Sequence, residues 1–383
     1  MRPERFILIG NYPPDRQESM IRFALLLERG LKSRGFTVEI VAPRPFVLRK
    51  NSSPNHGFGK WLGYVDKWIL FPFTLRRIAR ENQREFGGQV FFHVCDHSNA
   101  PYLAHLPAAR SAITCHDVLA IRGALGFPGS HCAASRAGVF LQRWILKNLR
   151  GAKKIACVSK LTLRQLVETA GEKNPPPSWV LVPNALNADF KKMETAAALE
   201  ILQCAGIHIP RPFLLHVGSN LPRKNRRMLL QMAGQSTPPW AGNICFAGEA
   251  ANEALLAEAK ELKISERIHS VEKPGHEVLC ALYSLAHAFV FPSLSEGFGW
   301  PVIEAQACGV PVIASNLEPL PEVSGGAALH ADPLNAKSFA AALQSLEDSS
   351  ARNFLIERGQ KNSARFSVAT MTDQYLALHG IRP

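Results

Sequence analysis

Residues 288–316 read AFVFPSLSEGFGWPVIEAQACGVPVIASN. The first four residues are apolar and have the composition of a buried β-strand, and the loop that follows contains Gly297 and Gly299. Pro301 suits the first turn of a helix, because its missing N–H group would be unpaired there in any case. A second apolar run follows Gly309. The stretch therefore predicts a strand, a glycine loop, a short buried helix and another strand.

The glycine loop has the features of an anion-binding site. Gly297 and Gly299 let backbone N–H groups approach a ligand closely, and the helix start behind them carries a partial positive charge. Phosphate is the usual ligand of such a site. Glu296 and Glu304 could accept hydrogen bonds from the hydroxyls of a hexose and a ribose. The alternative is that both are incidental charges, but an unpaired charge among the apolar neighbours of Glu304 would be expensive.

The pattern S-x-x-E-G-F-G-x-P-x-x-E-A-x-A-C-G-x-P-V-I-A-S, which begins at residue 293, resembles a known signature. It is similar to the Glu-x7-Glu motif of the fourth family of retaining nucleotide-sugar glycosyltransferases. The resemblance implies the GT-B fold, an α/β architecture of two Rossmann-like doubly wound domains facing a central cleft. It also implies that Glu296 lies beside the donor sugar, that Glu304 holds the ribose hydroxyls, and that Gly297, Phe298 and Gly299 contact the donor.

Length and composition agree with two soluble-type domains. The chain has 383 residues, of which 46% are hydrophobic, and this is enough for two cores. Eight cysteines are scattered without a C-x-x-C pair, so neither a zinc site nor a disulfide framework is indicated. The apolar run near the start is too short for a signal peptide, and no run is long enough to span a bilayer. We expect a cytoplasmic protein with reduced thiols.

The basic excess lies entirely in the first half of the chain. The net charge is +13; residues 1–200 hold 29 lysines and arginines against 15 acidic residues, and residues 201–383 hold 15 against 16. Such an asymmetry indicates an anionic partner, which could be a membrane surface, a lipid phosphate or a nucleic acid. No recognised nucleic-acid motif accompanies the charge, so we expect no nucleic-acid partner.

Two basic stretches in the first half also carry aromatic residues. In one, at residues 60–80, aromatic and aliphatic side chains alternate with lysines and arginines; the other spans residues 136–154. This mixture suits a peripheral membrane site. A packed amphipathic helix with a solvated basic side explains the first stretch equally well, and the second stretch favours the membrane slightly.

The first half opens with a βαβ pattern. A strand at residues 5–10, a helix at 20–34 and a strand at 37–42 predict a doubly wound domain, whose ligands bind beyond the carboxyl ends of the strands. The resemblance implies that the first loop, which contains Gly10, touches the donor phosphate or the acceptor. An ordinary turn between strand and helix is an equally good interpretation of Gly10.

Two further strands of the first half end in His–Asp or Asp–His pairs. The segment SAITCHD, at residues 111–117, resembles the family's strand-end His-Asp, whose histidine faces the donor sugar. His116 is therefore expected to hydrogen-bond a sugar hydroxyl or to move a proton near neutral pH. The segment QVFFHVCDH, at residues 89–97, contains His93 and His97, and the sequence assigns no role to either.

The second domain begins with the strand PFLLHVG, at residues 212–218, and a basic loop. Arg223 and Lys224 follow the strand and precede a helix expected near Asn225. A guanidinium beside an ammonium is a natural clamp for a diphosphate. The resemblance implies this role, with Gly218 and Ser219 also contacting the donor. Ser219 stands where the family usually has an arginine, so Arg223 would compensate.

Together these features predict a metal-independent retaining hexosyltransferase of mannosyl or glucosyl type. Its donor would be a nucleoside-diphosphate sugar and its acceptor a glycan or a lipid-linked glycan, in polysaccharide or lipopolysaccharide synthesis. None of the eight aspartates forms an Asp-x-Asp motif, so we expect no metal and no other cofactor. The predicted domains are residues 1–192 and 193–365, with a helix at 366–383 returning to the first. A nucleotide-sugar epimerase and a non-catalytic binding protein are the alternatives.

Overall fold

The computed structural model describes residues 4–48, 57–235 and 240–382, which fall into two compact units. Unit 1 contains residues 1–128, 132–187 and 367–383, and unit 2 contains residues 129–131 and 188–366. The chain therefore passes from unit 1 to unit 2 at 187/188 and returns at 366/367, whereas the sequence analysis placed these changes at 192/193 and 365/366.

Unit 1 is built on a six-stranded parallel sheet with the strand order β2-β1-β3-β4-β5-β6. The strands are β1 (Arg5–Ile9), β2 (Thr37–Val41), β3 (Val90–Val94), β4 (Ser111–Cys115), β5 (Ile155–Cys157) and β6 (Trp179–Leu181). Its α-helices are α1 (Glu18–Ser33), α2 (Gly57–Val65), α3 (Phe71–Phe86), α4 (Leu119–Ala124), α5 (Arg136–Arg150), α6 (Lys160–Ala170) and, after the chain returns, α15 (Val368–His379). A π-helical turn, Asp66–Leu70, joins α2 to α3.

Unit 2 is built on a second six-stranded parallel sheet with the order β12-β11-β10-β7-β8-β9. Its strands are β7 (Phe213–Gly218), β8 (Asn243–Gly248), β9 (Ile268–Glu272), β10 (Ala288–Phe291), β11 (Val312–Ser315) and β12 (Leu329–Ala331). Its α-helices are α7 (Thr195–Cys204), α8 (Arg227–Gln235), α9 (Glu253–Glu261), α10 (His276–Leu285), α11 (Trp300–Ala307), α12 (Leu320–Ser324), α13 (Ala336–Ser345) and α14 (Ser349–Ser363). The predicted architecture of two doubly wound α/β domains is confirmed.

Both sheets have inner strands that are buried throughout and mostly apolar. Every residue of β3, β4, β10 and β11 is buried. Parallel strands that are covered by helices on both faces take this composition instead of alternating polar and apolar residues. Because all strands of a parallel sheet point the same way, the loops after them meet at one edge, and the side chains described below lie there.

The helix α15 packs against α1 and is joined to the sheet of unit 1. A Cβ atom at Gly30 of α1 would lie 2.0 Å from Thr372 Oγ1, so only glycine permits this approach of the two helices. The hydroxyl of Tyr375 is hydrogen-bonded to Thr114 Oγ1 of β4 at 2.9 Å. These contacts explain why the last helix belongs to unit 1 although it follows unit 2 in the chain.

Two elements differ from their prediction. The segment at residues 191–206, which the sequence suggests is a linker between the domains, contains the helix α7, whose buried residues include Ala198 and Leu202. The helix expected near Asn225 begins at Arg227, because Asn225 takes a left-handed conformation at φ 52°. The described part of the chain contains no helix that combines the length and the apolar character needed to cross a bilayer.

Candidate functional site

The loop after β10 carries a buried carboxylate held by two cations of unit 2. Lys224 Nζ donates to Glu296 Oε1 at 2.7 Å, and Arg223 donates from one guanidinium nitrogen to Glu296 Oε2 at 3.1 Å and to the Ser295 carbonyl at 2.8 Å. Glu296 is 8% exposed. The structure therefore brings Glu296 together with Arg223 and Lys224, which precede it by 73 and 72 residues in the sequence.

Electrostatics keep this carboxylate ionised. Burial by itself would raise the pKa of Glu296, but the charges of Lys224 and then Arg223 outweigh it and lower the pKa below its usual value. A guanidinium and an ammonium side by side, next to a glycine loop, are suited to binding an anion such as a diphosphate.

The glycine loop has the backbone that the sequence predicts. Gly299 has φ 102° and ψ 52° and is the N-cap of α11, which begins at Trp300, one residue before the predicted start. A Cβ atom at this position would lie 2.7 Å from Leu320 Cδ2, so both the conformation and the packing require glycine. The loop can therefore direct backbone N–H groups at an anion.

Phe298 is the aromatic residue of this loop. Its ring is buried and packs edge-on against the ring of Phe366, with 5.7 Å between the centroids. Its side chain therefore contributes to the packing of unit 2. A donor contact through the backbone of Phe298 is compatible with this packing.

Glu304 lies inside α11 and is 4% exposed. One of its carboxylate oxygens accepts a hydrogen bond from the hydroxyl of Tyr283 at 3.1 Å. Burial, followed by the charge of Glu304, raises the pKa of Tyr283 well above its usual value, so Tyr283 stays a donor. A carboxylate has about four acceptor positions, and the Tyr283 bond therefore leaves it the capacity to accept from a ligand as well.

Gly218 and Ser219 end β7 beside this cluster. Gly218 lies against Gly248 of the neighbouring strand, where a Cβ atom would come within 2.8 Å of the Gly218 carbonyl oxygen. Ser219 is half-buried. The two glycines let the ends of β7 and β8 approach each other closely.

The loop that carries Arg223 and Lys224 is fastened by two residues that the sequence analysis did not assign. The side-chain amide of Asn225 donates to the carbonyls of Pro292 and Pro333. Arg226 donates to the Asn220 side chain and to the carbonyls of Ala250 and Glu249. Both residues hold the loop that positions the two cations. In the sequence, only their position directly after Arg223 and Lys224, in the segment RKNR, indicated such a role.

In unit 1, His116 lies buried at the end of β4. Its Nε2 is hydrogen-bonded to the Cys95 carbonyl at 2.9 Å, and its ring packs edge-on against Phe23. Burial lowers the pKa of His116, although the charge of Asp96 opposes the shift. The imidazole is therefore neutral at pH 7 and has one ring nitrogen engaged with the backbone.

A polar cluster that the sequence analysis missed lies beside His116. Asn11 donates to Asp96 at 2.5 Å and accepts from Asn99 at 3.2 Å. His97 Nδ1 lies 3.2 Å from one oxygen of Asp96, and His97 Nε2 lies 4.0 Å from Asp117. The signal in the sequence was the polar run DHSN directly after the apolar strand β3.

The charges of this cluster fix its protonation. Burial would lower the pKa of His97, but the charges of Asp96 and Asp117 outweigh it and raise the pKa. The pKa of Asp96 is lowered despite its burial, mainly by His97 and His116. The cluster therefore pairs an ionised carboxylate with a histidine that is readily protonated, and it is rich in groups that bind hydroxyls.

Gly10 and His93 contribute to the framework of unit 1. The N–H of Gly10 donates to the Val41 carbonyl at 2.8 Å, and the polar side chain from this loop belongs to the next residue, Asn11. His93 is hydrogen-bonded to Thr114 and lies 3.2 Å from His379 of α15. Burial lowers the pKa of His93 to about 3, so it is a neutral structural residue.

The eleven predicted site residues are thus divided between the units. His116 and Gly10 belong to unit 1, and the other nine belong to unit 2. Within the described ranges, no group of three or more histidines, cysteines, aspartates and glutamates has an arrangement that could hold a metal ion.

Comparison with known families matches almost the whole chain in two parts. Residues 20–190 match the family described as Glycosyltransferase Family 4, and residues 205–362 match the family described as Glycosyl transferases group 1. A curated relative, O-antigen chain mannosyltransferase B of Escherichia coli, is 28% identical over 86% of this chain and 85% of its own.

Solved structures share the fold at low sequence identity. Anabaena HepE, solved in complex with UDP and glucose, superposes with a TM-score of 0.73 at 14% identity and covers 98% of both chains. Sucrose-phosphate synthase from Thermosynechococcus elongatus superposes with a TM-score of 0.71 at 20% identity, again over 98% of both chains. These likenesses agree with the two-sheet architecture described above.

Proposed function

This chain belongs to the family 4 glycosyltransferases, and we propose that it transfers a hexosyl unit from a nucleoside-diphosphate sugar to a glycan or lipid-linked glycan with retention at the anomeric carbon. The observation that carries the proposal is the Glu296 carboxylate between Arg223 and Lys224, next to the glycine loop before α11. The mannosyltransferase relative supports a mannosyl donor and an acceptor of the O-antigen type.

In this proposal unit 2 binds the donor. Arg223, Lys224 and the N–H groups around Gly297 and Gly299 hold the diphosphate, and Gly218 and Ser219 line the strand end beside it. Glu304 accepts from the ribose hydroxyls, as its burial in α11 beside Tyr283 allows. Glu296 accepts from hydroxyls of the hexose once the diphosphate has taken over the two cations.

In the chemical step one bond forms, one bond breaks and one proton is transferred. The acceptor hydroxyl oxygen bonds to the anomeric carbon, the bond from that carbon to the diphosphate oxygen breaks on the same face, and the acceptor's proton passes to the departing phosphate. The cations stabilise the charge that develops on the leaving group, which is the kind of electrostatic effect that dominates many enzymatic rate enhancements. We therefore infer that the reaction needs no metal.

The acceptor is proposed to bind unit 1. Asp96, Asp117 and Asn11 offer acceptors and donors for sugar hydroxyls at the strand ends. His116 is proposed to hydrogen-bond a substrate hydroxyl through the ring nitrogen that Cys95 does not engage. All eight cysteines are free thiols, which fits a reducing compartment, and we propose that the enzyme works in the cytoplasm.

A basic surface of unit 1 supports a peripheral position on an anionic membrane. The helices α3 and α5 both pack on residues 97–105. Two cavities, of about 310 and 350 Å³, lie on either side of the segment 103–108. Within the described part of the chain every formally charged residue lining them is a cation, and these are Arg76, Arg80, Lys147 and Lys153.

Exposed apolar side chains lie on α3, on α5 and on the helical segments that lead into α3. Four of them are more than half exposed, and they are Trp61, Ile69, Phe73 and Phe140. Trp68 and Leu75 from the same stretch instead pack in the core of unit 1. Residues 60–80 therefore have one packed side, and the other side presents aromatic and basic groups to solvent, which supports the proposed membrane contact.

We expect the double variant Arg76→Gln, Arg80→Gln to lose affinity for anionic vesicles. Each basic residue near an anionic surface contributes about 1 kcal/mol, so removing two should weaken binding about 30-fold at low salt. Co-sedimentation with vesicles of phosphatidylglycerol measures this, and vesicles of phosphatidylcholine should bind neither protein.

The matched control is Arg358→Gln, Lys361→Gln on the exposed side of α14, which removes the same charge from unit 2. It should bind vesicles like the wild type. Equal weakening by both double variants would mean that net charge alone drives the interaction, and the proposed surface would be wrong.

The donor class is tested by thermal unfolding with UDP- and GDP-sugars. A ligand at about 100 times its Kd stabilises the folded state by about 2.7 kcal/mol, so the cognate donor should raise the melting temperature. We expect Glu304→Gln to weaken that donor about 10- to 100-fold, because a hydrogen bond to a charged group contributes about 1.5–3 kcal/mol.

Tyr283→Phe is the control for this variant, since it removes the internal hydrogen-bond donor to Glu304 and keeps the carboxylate. It should bind the donor almost normally. If no nucleotide sugar raised the melting temperature of the wild-type protein, the proposed function would be wrong. Conversion of the donor without acceptor to an epimeric sugar would instead favour the epimerase, and binding without any turnover would favour a binding protein.

A further inference from the structure

A fully buried histidine, His216, lies in β7, two residues before the end of the strand that leads to Arg223 and Lys224. Its Nδ1 is 3.0 Å from the Val290 carbonyl oxygen. Because a carbonyl only accepts, Nδ1 carries the proton and Nε2 presents a lone pair. Burial and the nearby cations lower the pKa of His216 to about 3, so the ring is neutral at pH 7.

The Nε2 lone pair has no donor among the residues that the structure describes. A buried polar atom without a hydrogen-bond partner is costly and uncommon in native proteins. An apolar residue would fill the same space at less cost. The persistence of a histidine here calls for a partner that arrives in another state of the site.

The surroundings of this nitrogen indicate the candidate partner. A Cβ atom on Gly218 would lie 3.2 Å from His216 Nε2 and 3.8 Å from both Cδ and Cε of Lys224. The imidazole nitrogen and the end of the lysine side chain therefore converge on the space that Gly218 leaves empty. In addition, the ring of Phe291 stacks with His216 and lies under Lys224 Nζ, 5.1 Å from the ring centroid.

We propose that His216 is a positioning residue for the transfer reaction, whose Nε2 accepts a hydrogen bond from the Lys224 ammonium when Glu296 turns to the donor sugar. The inference rests on the proposed function. In the structure Lys224 donates to Glu296 at 2.7 Å. A bound diphosphate competes for Lys224 and frees Glu296. An ammonium has three N–H donors, so Lys224 can donate to the diphosphate and to His216 Nε2 at the same time.

A neutral acceptor is well suited to this task. A carboxylate partner cancels most of the charge of an ammonium, whereas a neutral imidazole holds the group without cancelling it. The full charge of Lys224 then acts on the departing diphosphate, where fixed charge stabilises the transition state most effectively. Glycine at 218 keeps the space between the two side chains open.

A structural role for His216 is the competing explanation. Arg226 Nε is also buried without an acceptor in the described part of the chain, and its guanidinium lies over Phe246, which His216 also contacts. A buried water could join Arg226 Nε to His216 Nε2. In that case His216 would stabilise the loop and have no separate effect on turnover.

The variants His216→Phe and His216→Gln distinguish the two roles. Phenylalanine keeps a ring against Phe291 and removes the unsatisfied atom, so we expect a melting temperature equal to or above that of the wild type. We expect kcat to fall about 10- to 100-fold, with the Kd of the nucleoside diphosphate within about threefold. Glutamine retains a hydrogen-bond acceptor, so the decrease in log kcat of His216→Gln should be at most half of the decrease for His216→Phe.

His330→Phe serves as a control, because both ring nitrogens of His330 have partners within unit 2. It should lower the melting temperature and leave kcat within about threefold. His216→Phe with wild-type kcat, His216→Phe that loses stability and turnover together, or equal turnover of the Phe and Gln variants would each overturn the proposal. A wild-type protein without donor-dependent stabilisation would instead contradict the proposed function itself.

Discussion

Lys224→Met should lower kcat/KM for the nucleotide-sugar donor by about 10²- to 10³-fold, as expected when one fixed electrostatic stabiliser of a transition state is removed. Methionine keeps most of the length and the apolar stem of lysine, so the packing against Phe291 is retained while the charge is lost. Glu296 keeps Arg223 as a counter-ion. The fold should therefore persist, and the deficit should lie in turnover.

Steady-state kinetics with a radiolabelled donor, in buffer with excess EDTA, measure this effect. Wild-type activity should survive EDTA, because the proposed reaction takes its positive charge from side chains. Lys260→Met, an exposed lysine of α9 in the same unit, is the control and should behave like the wild type. A Lys224→Met enzyme within about threefold of the wild type would exclude Lys224 from the chemistry.

Glu296→Gln should have two opposite effects, with weaker turnover and tighter binding of the free nucleoside diphosphate. The carboxylate is the ion-pair partner of both Arg223 and Lys224 in the structure, so it would compete with a bound anion for these two cations. Removing its charge leaves both cations for the diphosphate, and we expect the Kd to fall about tenfold, which corresponds to about 1.4 kcal/mol. Turnover should fall about 10²-fold because the donor sugar loses a charged hydrogen-bond acceptor.

The same substitution should destabilise the ligand-free protein. Breaking a buried ion pair by removing one partner costs about 3–5 kcal/mol. Since the pKa of Glu296 is lowered in the folded protein, its contribution to stability is present above the unfolded-state pKa and is lost as the pH falls through the folded-state pKa. The difference in melting temperature between wild type and variant should thus be constant from pH 6 to pH 8.

Isothermal titration with UDP and GDP, together with melting curves, measures both effects. Glu258→Gln is the matched control, because Glu258 pairs with Arg227, whose side chain is mostly exposed on the surface of unit 2. It should change neither nucleotide affinity nor turnover. Weaker binding of the nucleoside diphosphate to Glu296→Gln would mean that the carboxylate organises the cations instead of competing with the ligand.

Local chemistry explains what could be predicted accurately. The strand β10 occupies residues 288–291, as predicted, and α11 begins one residue from its predicted start. Gly299 needs a positive φ and Pro301 suits a first helical turn, so both signals act within a few residues. Ser159 accepts from the Thr162 N–H as the N-cap of α6, a position that serine favours for an equally local reason.

The less successful predictions concern segments whose state depends on distant partners. The linker contains α7 because its apolar residues find α10 to pack against. Phe298 reads as a loop residue in sequence, but its ring is buried against Phe366, 68 positions away. Residues 60–80 have one face in the core and one in solvent, and helical periodicity alone could not decide which side chains are buried and which are exposed.

By itself the sequence determined the two doubly wound α/β domains, the glycine loop, the family and the chemical type of the main site residues. Only the tertiary structure decided that Glu296 is the counter-ion of Arg223 and Lys224, that Asn11 meets Asp96, and that His216 Nε2 is buried without a partner among the described residues. The physical reason is the order of the strands. Local propensities act within one element, whereas these contacts depend on which strand ends become neighbours in a sheet whose order differs from the order of the chain.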